Sequence, residues 1–364
     1  MSEAPTLYSP IRIGEMQLSH RVIMAPLTRT RAGEDGTPTA AHTTYYQQRA
    51  GADGASLIIT EGVFPAFSHR TFPGQPGIAT EEHVAGWRAV ADAVHSQGGY
   101  IFMQIMHGGR VSHPDLLRGA HPQAPSAIGS GTPVRGFSGK LEESIPEEMT
   151  DADIQRVIAE FVDGSRRAVA AGLDGVEIHA ANGYLLHQFL SPSSNQRTDA
   201  YGGSPENRAR FSAEIIRAVA AAIGAERTAV RISPEHNIQG VLETDTDDLL
   251  ATYQELLGGI ADLDLAYVSI LHADTAGKLV ATLRSFCGDT PVVLNSGFGV
   301  VTTREEATEI IAAELADAVA VGRPLIANPD LVRRWREGLA LNAADPDTFY
   351  LGGEHGYIDY PFAD

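Results

Sequence analysis

Cysteine is nearly absent from this sequence. Of its 364 residues only Cys287 is one, which excludes an intrachain disulfide and any multi-cysteine zinc or iron–sulfur site. Basic residues are in deficit too: 27 Lys and Arg face 46 Asp and Glu, a formal charge of −19. A field of that sign repels nucleic acid and anionic membrane surfaces, so neither is expected as a partner. A small phosphate ligand is compatible with it, because one arginine and a few backbone amides act at shorter range. No apolar run approaches the roughly 20 residues that span a bilayer. Residues 1–10 show no basic cluster ahead of an apolar stretch, so no secretory signal is visible and the cytoplasm is the expected compartment. Metal-ligand spacing is missing as well. His42, His107, His113 and His121 fall into none of the zinc patterns, so no metal is expected. There is no Gly-x-Ser-x-Gly elbow and no P-loop.

What is present is core material: 43% of the residues are hydrophobic and 20% charged, as in a globular domain. Short apolar runs recur at Val22–Ala25, Ser56–Thr60, Tyr100–Gln104, Gly175–His179, Ala229–Ile232, Tyr267–Ile270, Val292–Asn295 and Ala318–Val321. They are continuous rather than alternating, as strands buried on both faces of a parallel sheet are. Helical patterns lie between them, over Glu81–Ser96, Asp151–Ala171, Pro205–Ile223, Asp245–Leu257 and Thr303–Glu314. Asp151, Ser204 and Thr302 or Thr303 read as N-caps, and Gly172 and Gly224 as helix stops. Eight such units predict a single (β/α)8 barrel over residues 1–364. A doubly wound sheet would place a glycine-rich turn after the first strand, where Pro26-Leu27-Thr28-Arg29 stands instead. Residues 105–150, rich in Pro, Gly and Ser, break the rhythm just after the third strand. An excursion of that length at a barrel's C-terminal end is expected to be an active-site lid.

Function in such a barrel collects at the C-terminal ends of the strands. There the sequence offers Pro26, Leu27 and Thr28, then Gly62, Gln104, His179, Arg231, Gly297 with Phe298, and Gly322 with Arg323. The last two pairs follow the seventh and eighth strands, where barrels commonly hold a phosphate. Glycine admits close approach of backbone N–H groups, and Arg323 adds charge. Thr28, Gln104 and Arg231 are hydrogen-bonding rather than nucleophilic. They suit a planar heterocycle such as an isoalloxazine, with the arginine favouring the anion formed on reduction. His179 and Asn182 are spaced to give two donors to one carbonyl oxygen, and Tyr184 is placed to supply a proton. Taken without their position, His179 reads first as a satisfied core histidine and Tyr184 as a packing aromatic; the place at the fourth strand's end shifts the reading toward a site.

Ordered motifs run from Leu7 to Pro361. They include Met24-Ala-Pro-Leu-Thr-Arg29, Gln104-Ile-Met-His-Gly-Gly-Arg110, Ala124-Pro-Ser-Ala-Ile128 and Val176-Glu-Ile-His-Ala-Ala-Asn-Gly-Tyr-Leu185. Further on stand Gln188-Phe-Leu-Ser-Pro192, Asn195-Gln-Arg-Thr-Asp199, Arg231-Ile-Ser-Pro234, Asn328-Pro-Asp330, Phe349-Tyr350 and Gly356-Tyr-Ile-Asp-Tyr-Pro361. In these the chain resembles the Old Yellow Enzyme family of FMN-dependent ene-reductases, in the classical bacterial branch similar to N-ethylmaleimide reductase. The resemblance implies FMN as cofactor and NADPH or NADH as reductant. It implies an enone, enal, maleimide or nitroalkene as substrate, and a monomer or homodimer.

Residue by residue, the resemblance implies that Pro26, Leu27, Thr28 and Gly62 border the flavin, with Gln104 and Arg231 on its pyrimidine edge. Gly297, Phe298, Gly322 and Arg323 are then the phosphate site. His179 and Asn182 bind the carbonyl oxygen, Tyr184 protonates the neighbouring carbon, and Tyr350 closes over the ring. The implied outcome is trans addition of hydride and proton across the C=C bond. Nitroester or nitroaromatic reduction at the same site, and a flavin-binding barrel without turnover, are the alternatives. Three positions depart from the family pattern and shape the substrate pocket: Met106 for tryptophan, Phe72 for tyrosine and Gly62 for alanine.

Overall fold

The computed structural model describes residues 4–297, 299–350 and 353–364. Eight parallel strands close into a barrel. In chain order they are Val22–Met24, Leu57–Ile59, Tyr100–Ile105, Gly175–Ala180, Thr228–Ile232, Tyr267–Leu271, Val292–Asn295 and Ala318–Val321. The eighth returns to the first, pairing Val319 with Val22 and Val321 with Met24. Every strand residue except Tyr100 is buried. That is why the strands read as unbroken apolar runs.

The strands separate two cores. One lies outside the barrel, between strands and helices. The other fills the barrel itself and contains Phe102, Ala229, Tyr267, Val293 and Ala318. Ile13, Met16 and Leu18 join that inner core from a hairpin of Ile11–Ile13 and Met16–Leu18, which precedes the first strand. Two residues beyond Phe102, Ala229, Tyr267 and Val293 the inward positions turn polar, at Gln104, Arg231, Ser269 and Asn295, and His179 joins them from the fourth strand; all are buried. Register places Glu177 beside Gln104, His179 beside Arg231, and Arg231 beside Ser269. Apolar residues, with Glu177 as a buried exception, thus fill the lower barrel, and polar ones gather where a ligand would enter.

The helices Glu81–His95, Asp151–Ala170, Pro205–Ile223, Thr246–Gly258 and Arg304–Ala312 stand where the patterns place them. Ser204 and Thr303 cap theirs. Asp151 does not; Thr150 does. Its hydroxyl accepts from the Asp153 N–H at 3.2 Å while the Asp153 carboxylate accepts from the Thr150 N–H at 3.0 Å, a reciprocal capping box. The helix Ala40–Gln48 has no amphipathic signature, because its buried residues are His42, Tyr45 and Tyr46.

Residues 105–150 are not structureless. They hold a short 3-10 turn at Gly109–Val111 and a hairpin of Val134–Gly136 with Gly139–Leu141. Gln123–Ala124 also pairs with Glu147–Glu148. The C-terminal segment returns to the barrel mouth and is tied down by arginines. Arg29 donates to the carbonyls of Phe349 (3.1 Å) and Gly356 (2.9 Å). Arg31 donates to Thr348 at 2.7 Å, and the Thr30 hydroxyl to Tyr350 at 2.6 Å.

Candidate active site

The strand ends meet in one open-mouthed cavity, about 1100 Å³ when the solvent space at its mouth is included. Pro26, Leu27, Thr28, Gly62, Gln104 and Met106 line one side. His179, Asn182, Tyr184 and Arg231 line another, and Gly297, Gly322, Arg323 and Tyr350 complete the wall. Phe298 lies outside the described residues. Phe72 stands apart: it is half-buried and is not among the residues lining the cavity. Gln75 takes the inner place in that turn. Its side chain accepts from the Thr71 N–H at 2.7 Å and donates to the Gly62 carbonyl at 3.1 Å.

Past His179 the chain turns sharply. Asn182 and Gly183 have φ of 57° and 77°, a region Asn and Gly adopt at least cost. The Tyr184 N–H closes the turn onto the Ala181 carbonyl at 3.2 Å, and Tyr184 starts the helix Leu185–Leu190. A Cβ on Gly183 would stand 2.8 Å from Gln239 Cβ and from the Ile238 carbonyl oxygen, so glycine lets that segment seat on the turn. Four side chains then hold the turn's backbone, one of them Gln188, which donates to the Gly183 carbonyl at 2.8 Å. Ser233 accepts from the Asn182 N–H at 2.7 Å and His187 from the Gly183 N–H at 3.0 Å, while Gln239 donates to the Asn182 carbonyl at 2.6 Å.

Three polar atoms on this wall, His179 Nδ1, Asn182 Oδ1 and Arg231 Nε, are buried with no hydrogen-bond partner among the described residues. Each such atom costs about 1–3 kcal/mol, and three on one wall mark a place built for a ligand. Burial, reinforced by the charges of Arg231 and His187, holds His179 well below the usual imidazole range, so it is neutral near pH 7. Burial pushes the Tyr184 phenol up to about 12, against a hydrogen bond with the Gln239 side chain. Tyr184 therefore keeps its proton. The rings of His179 and Tyr184 lie 5.1 Å apart.

The polar edge is equally ordered. Gln104 donates to Glu177 at 2.8 Å, and Arg231 to Ser269 at 3.3 Å and Asn295 at 2.9 Å. Glu61 accepts from the N–H groups of Arg29 (3.0 Å) and Thr30 (3.1 Å), which fixes the backbone around Thr28. After the seventh strand stand Gly297, Gly299 and Thr302, and after the eighth Gly322 and the exposed Arg323, small residues with one cation. This donor set fits FMN: a rim for the phosphate, an apolar bed at Pro26, Leu27 and Met106, and hydrogen-bonding groups at Thr28, Gln104 and Arg231.

The model of the NADH:flavin oxidoreductase / NADH oxidase family matches residues 6–342. The fold is similar to that of the Old Yellow Enzyme homologue from Zymomonas mobilis, with a TM-score of 0.91 at 37% identity, covering 98% of this chain and 99% of that one. The chain belongs to the Old Yellow Enzyme family. It is 40% identical over 362 residues to a probable flavin mononucleotide-dependent alkene reductase of Leishmania infantum, 98% of this chain and 97% of that protein. It is also 36% identical over 374 residues to a probable inactive dehydrogenase of Claviceps fusiformis, 98% of this chain and 94% of that protein. Old Yellow Enzyme membership makes it an FMN-dependent oxidoreductase with a pyridine nucleotide as reductant.

The cavity also takes in residues that motif reading passes over. Ile238 and Gln239 reach it from the segment after the fifth strand, and Asn295 from the end of the seventh. The available signal was position alone: Asn295 ends the seventh strand, and Ile238 and Gln239 lie in the loop after the fifth.

Proposed function

We propose that this Old Yellow Enzyme relative is an ene-reductase that saturates the C=C bond of α,β-unsaturated carbonyl compounds, with NADPH as its preferred reductant. Bound FMN supplies hydride transfer between nicotinamide and substrate. His179 and Asn182 hold the substrate's carbonyl oxygen. Negative charge develops there in the transition state, so donors fixed beforehand lower the barrier and do more than bind. Tyr184, whose burial keeps it protonated to still higher pH than a free phenol, holds the proton for the α-carbon, and the expected product is that of trans addition. Tyr350, 46% exposed at the mouth, closes the substrate face. Residues 105–150 act as the lid, joined to the mouth by Arg110, which donates to the Gln239 carbonyl at 3.1 Å.

The observation that carries this reading is the meeting around one cavity of a neutral His179, whose Nδ1 has no hydrogen-bond partner among the described residues, the Asn182 amide and a protonated phenol. A flavin-binding barrel without turnover has no use for that phenol. The purified protein should be yellow and release FMN on denaturation. With NADPH and 2-cyclohexenone, N-ethylmaleimide or a nitroalkene, it should yield the saturated product. NADPH consumption with nitroesters or nitroaromatics only, leaving C=C bonds intact, would refute the ene-reductase reading.

A further inference from the structure

We propose that Glu177, which does not line the cavity, is a positioning residue that fixes the Gln104 amide and offsets the charge of Arg231 beneath the flavin. The inference rests on the flavin reading of the site.

Glu177 points into the barrel one inward position below His179 and is fully buried. Both of its oxygens are engaged. Oε1 accepts from Gln104 Nε2 at 2.8 Å and Oε2 from the Tyr267 hydroxyl at 3.0 Å. A carboxylate accepts and does not donate, so an amide facing it must present its nitrogen. Gln104 Oε1 is then left for the cavity, 3.6 Å from where a Cβ on Gly62 would stand. Without Glu177 the amide has no reason to prefer one orientation. With it, Gln104 offers the cavity an acceptor, which matches a ring N–H rather than a ring carbonyl.

The second role is electrostatic. Arg231 donates to Ser269 and Asn295, both neutral. Glu177 lies two residues before His179, the strand partner of Arg231, so its carboxylate acts on the guanidinium from the neighbouring strand. Burial raises the Glu177 carboxyl, and Arg231, Gln104 and Tyr267 work against that rise. An isoalloxazine gains negative charge on reduction, and a nearby arginine favours that charge. Glu177 cancels part of the advantage, so it keeps the bound flavin's potential lower than Arg231 alone would set it.

The test compares holo-proteins carrying Glu177→Gln, which removes the charge, and Glu177→Asp, which keeps it but shortens the reach to Gln104. The readouts are the midpoint potential by spectroelectrochemistry and the FMN Kd by fluorescence. Glu177→Gln should favour reduced over oxidised FMN about tenfold, a rise of about 30 mV for a two-electron couple. Glu177→Asp should weaken FMN binding several-fold with a potential near wild type. Wild-type potential in Glu177→Gln, or an equal rise in both variants, overturns the charge role. Wild-type FMN affinity in Glu177→Asp overturns the positioning role, and that variant decides alone if Glu177→Gln does not fold. Wild-type protein that takes up no FMN would instead overturn the flavin reading and this inference with it.

Discussion

The sulfur of Met106 fills the space that a side chain on Gly62 would need. A Cβ built on Gly62 overlaps Met106 Sδ and lies 3.1 Å from its Cγ, and both residues line the cavity. Both also depart from the family pattern, so the two departures form one contact. Glycine makes room, and an unbranched thioether fills it.

Gly62→Ala should therefore destabilise the protein by about 1–3 kcal/mol, the usual range for overpacking. In a Met106→Ala background the same change should cost less than about 0.5 kcal/mol. Urea unfolding of the four proteins of the double-mutant cycle measures this coupling. Additive effects would mean that the contact carries no energy.

The carbonyl site can be tested without turnover. A phenol added to the oxidised holo-protein should give a long-wavelength charge-transfer band, as the family resemblance implies. Replacing both His179 and Asn182 with alanine should weaken that titration at least about tenfold, since each lost hydrogen bond to an otherwise unpaired buried group is worth on the order of 1 kcal/mol or more. FMN content should stay the same. An unchanged titration would place the substrate oxygen elsewhere.

Acid should destabilise the fold before its carboxylates titrate. His20 and His107 are buried, and their Nδ1 atoms accept backbone N–H groups from Val22 (3.2 Å) and Gly109 (2.9 Å). Burial lowers both imidazoles, His20 from 6.5 to about 4 and His107 well below the usual value. The unfolded chain takes up these protons near pH 6.5 while the native state resists. Within that window the unfolded state binds more protons, so stability falls as pH falls. At about 1.4 kcal/mol per pKa unit, His20 alone accounts for about 3 kcal/mol between its two values. The urea midpoint should hold steady above about pH 7 and drop from about 6.5 downward, with the drop blunted in His20→Gln. A flat profile from pH 7 to 4.5 would contradict the assignment.

Much of this molecule was legible before any coordinates. The eight strands could be read because they are buried on both faces, and the helices because apolar residues recur on one face. That His179, Asn182 and Tyr184 would meet in one cavity could be read from their place at and just after the end of the fourth strand. What escaped reading depends on contacts across long stretches of chain. Gln239 meets Asn182 across 57 positions and Glu177 meets Gln104 across 73. Neither pairing leaves a periodic signal. The place of Phe72 is of the same kind: it does not line the cavity, while Gln75 in the same turn is buried and bonds Thr71 and Gly62. Asp151 was one residue off as a cap, because both residues of the Thr150–Asp153 box stand beside it.

The most direct test of the account is stopped-flow kinetics of Tyr184→Phe, with the two half-reactions measured separately. Reduction of the oxidised protein by NADPH should proceed within about twofold of wild type. Reoxidation by 2-cyclohexenone should slow by about 10²–10⁴, the range expected when a positioned proton donor is removed. Equal slowing of both half-reactions, or reoxidation at the wild-type rate, would contradict the role of Tyr184 as the proton donor.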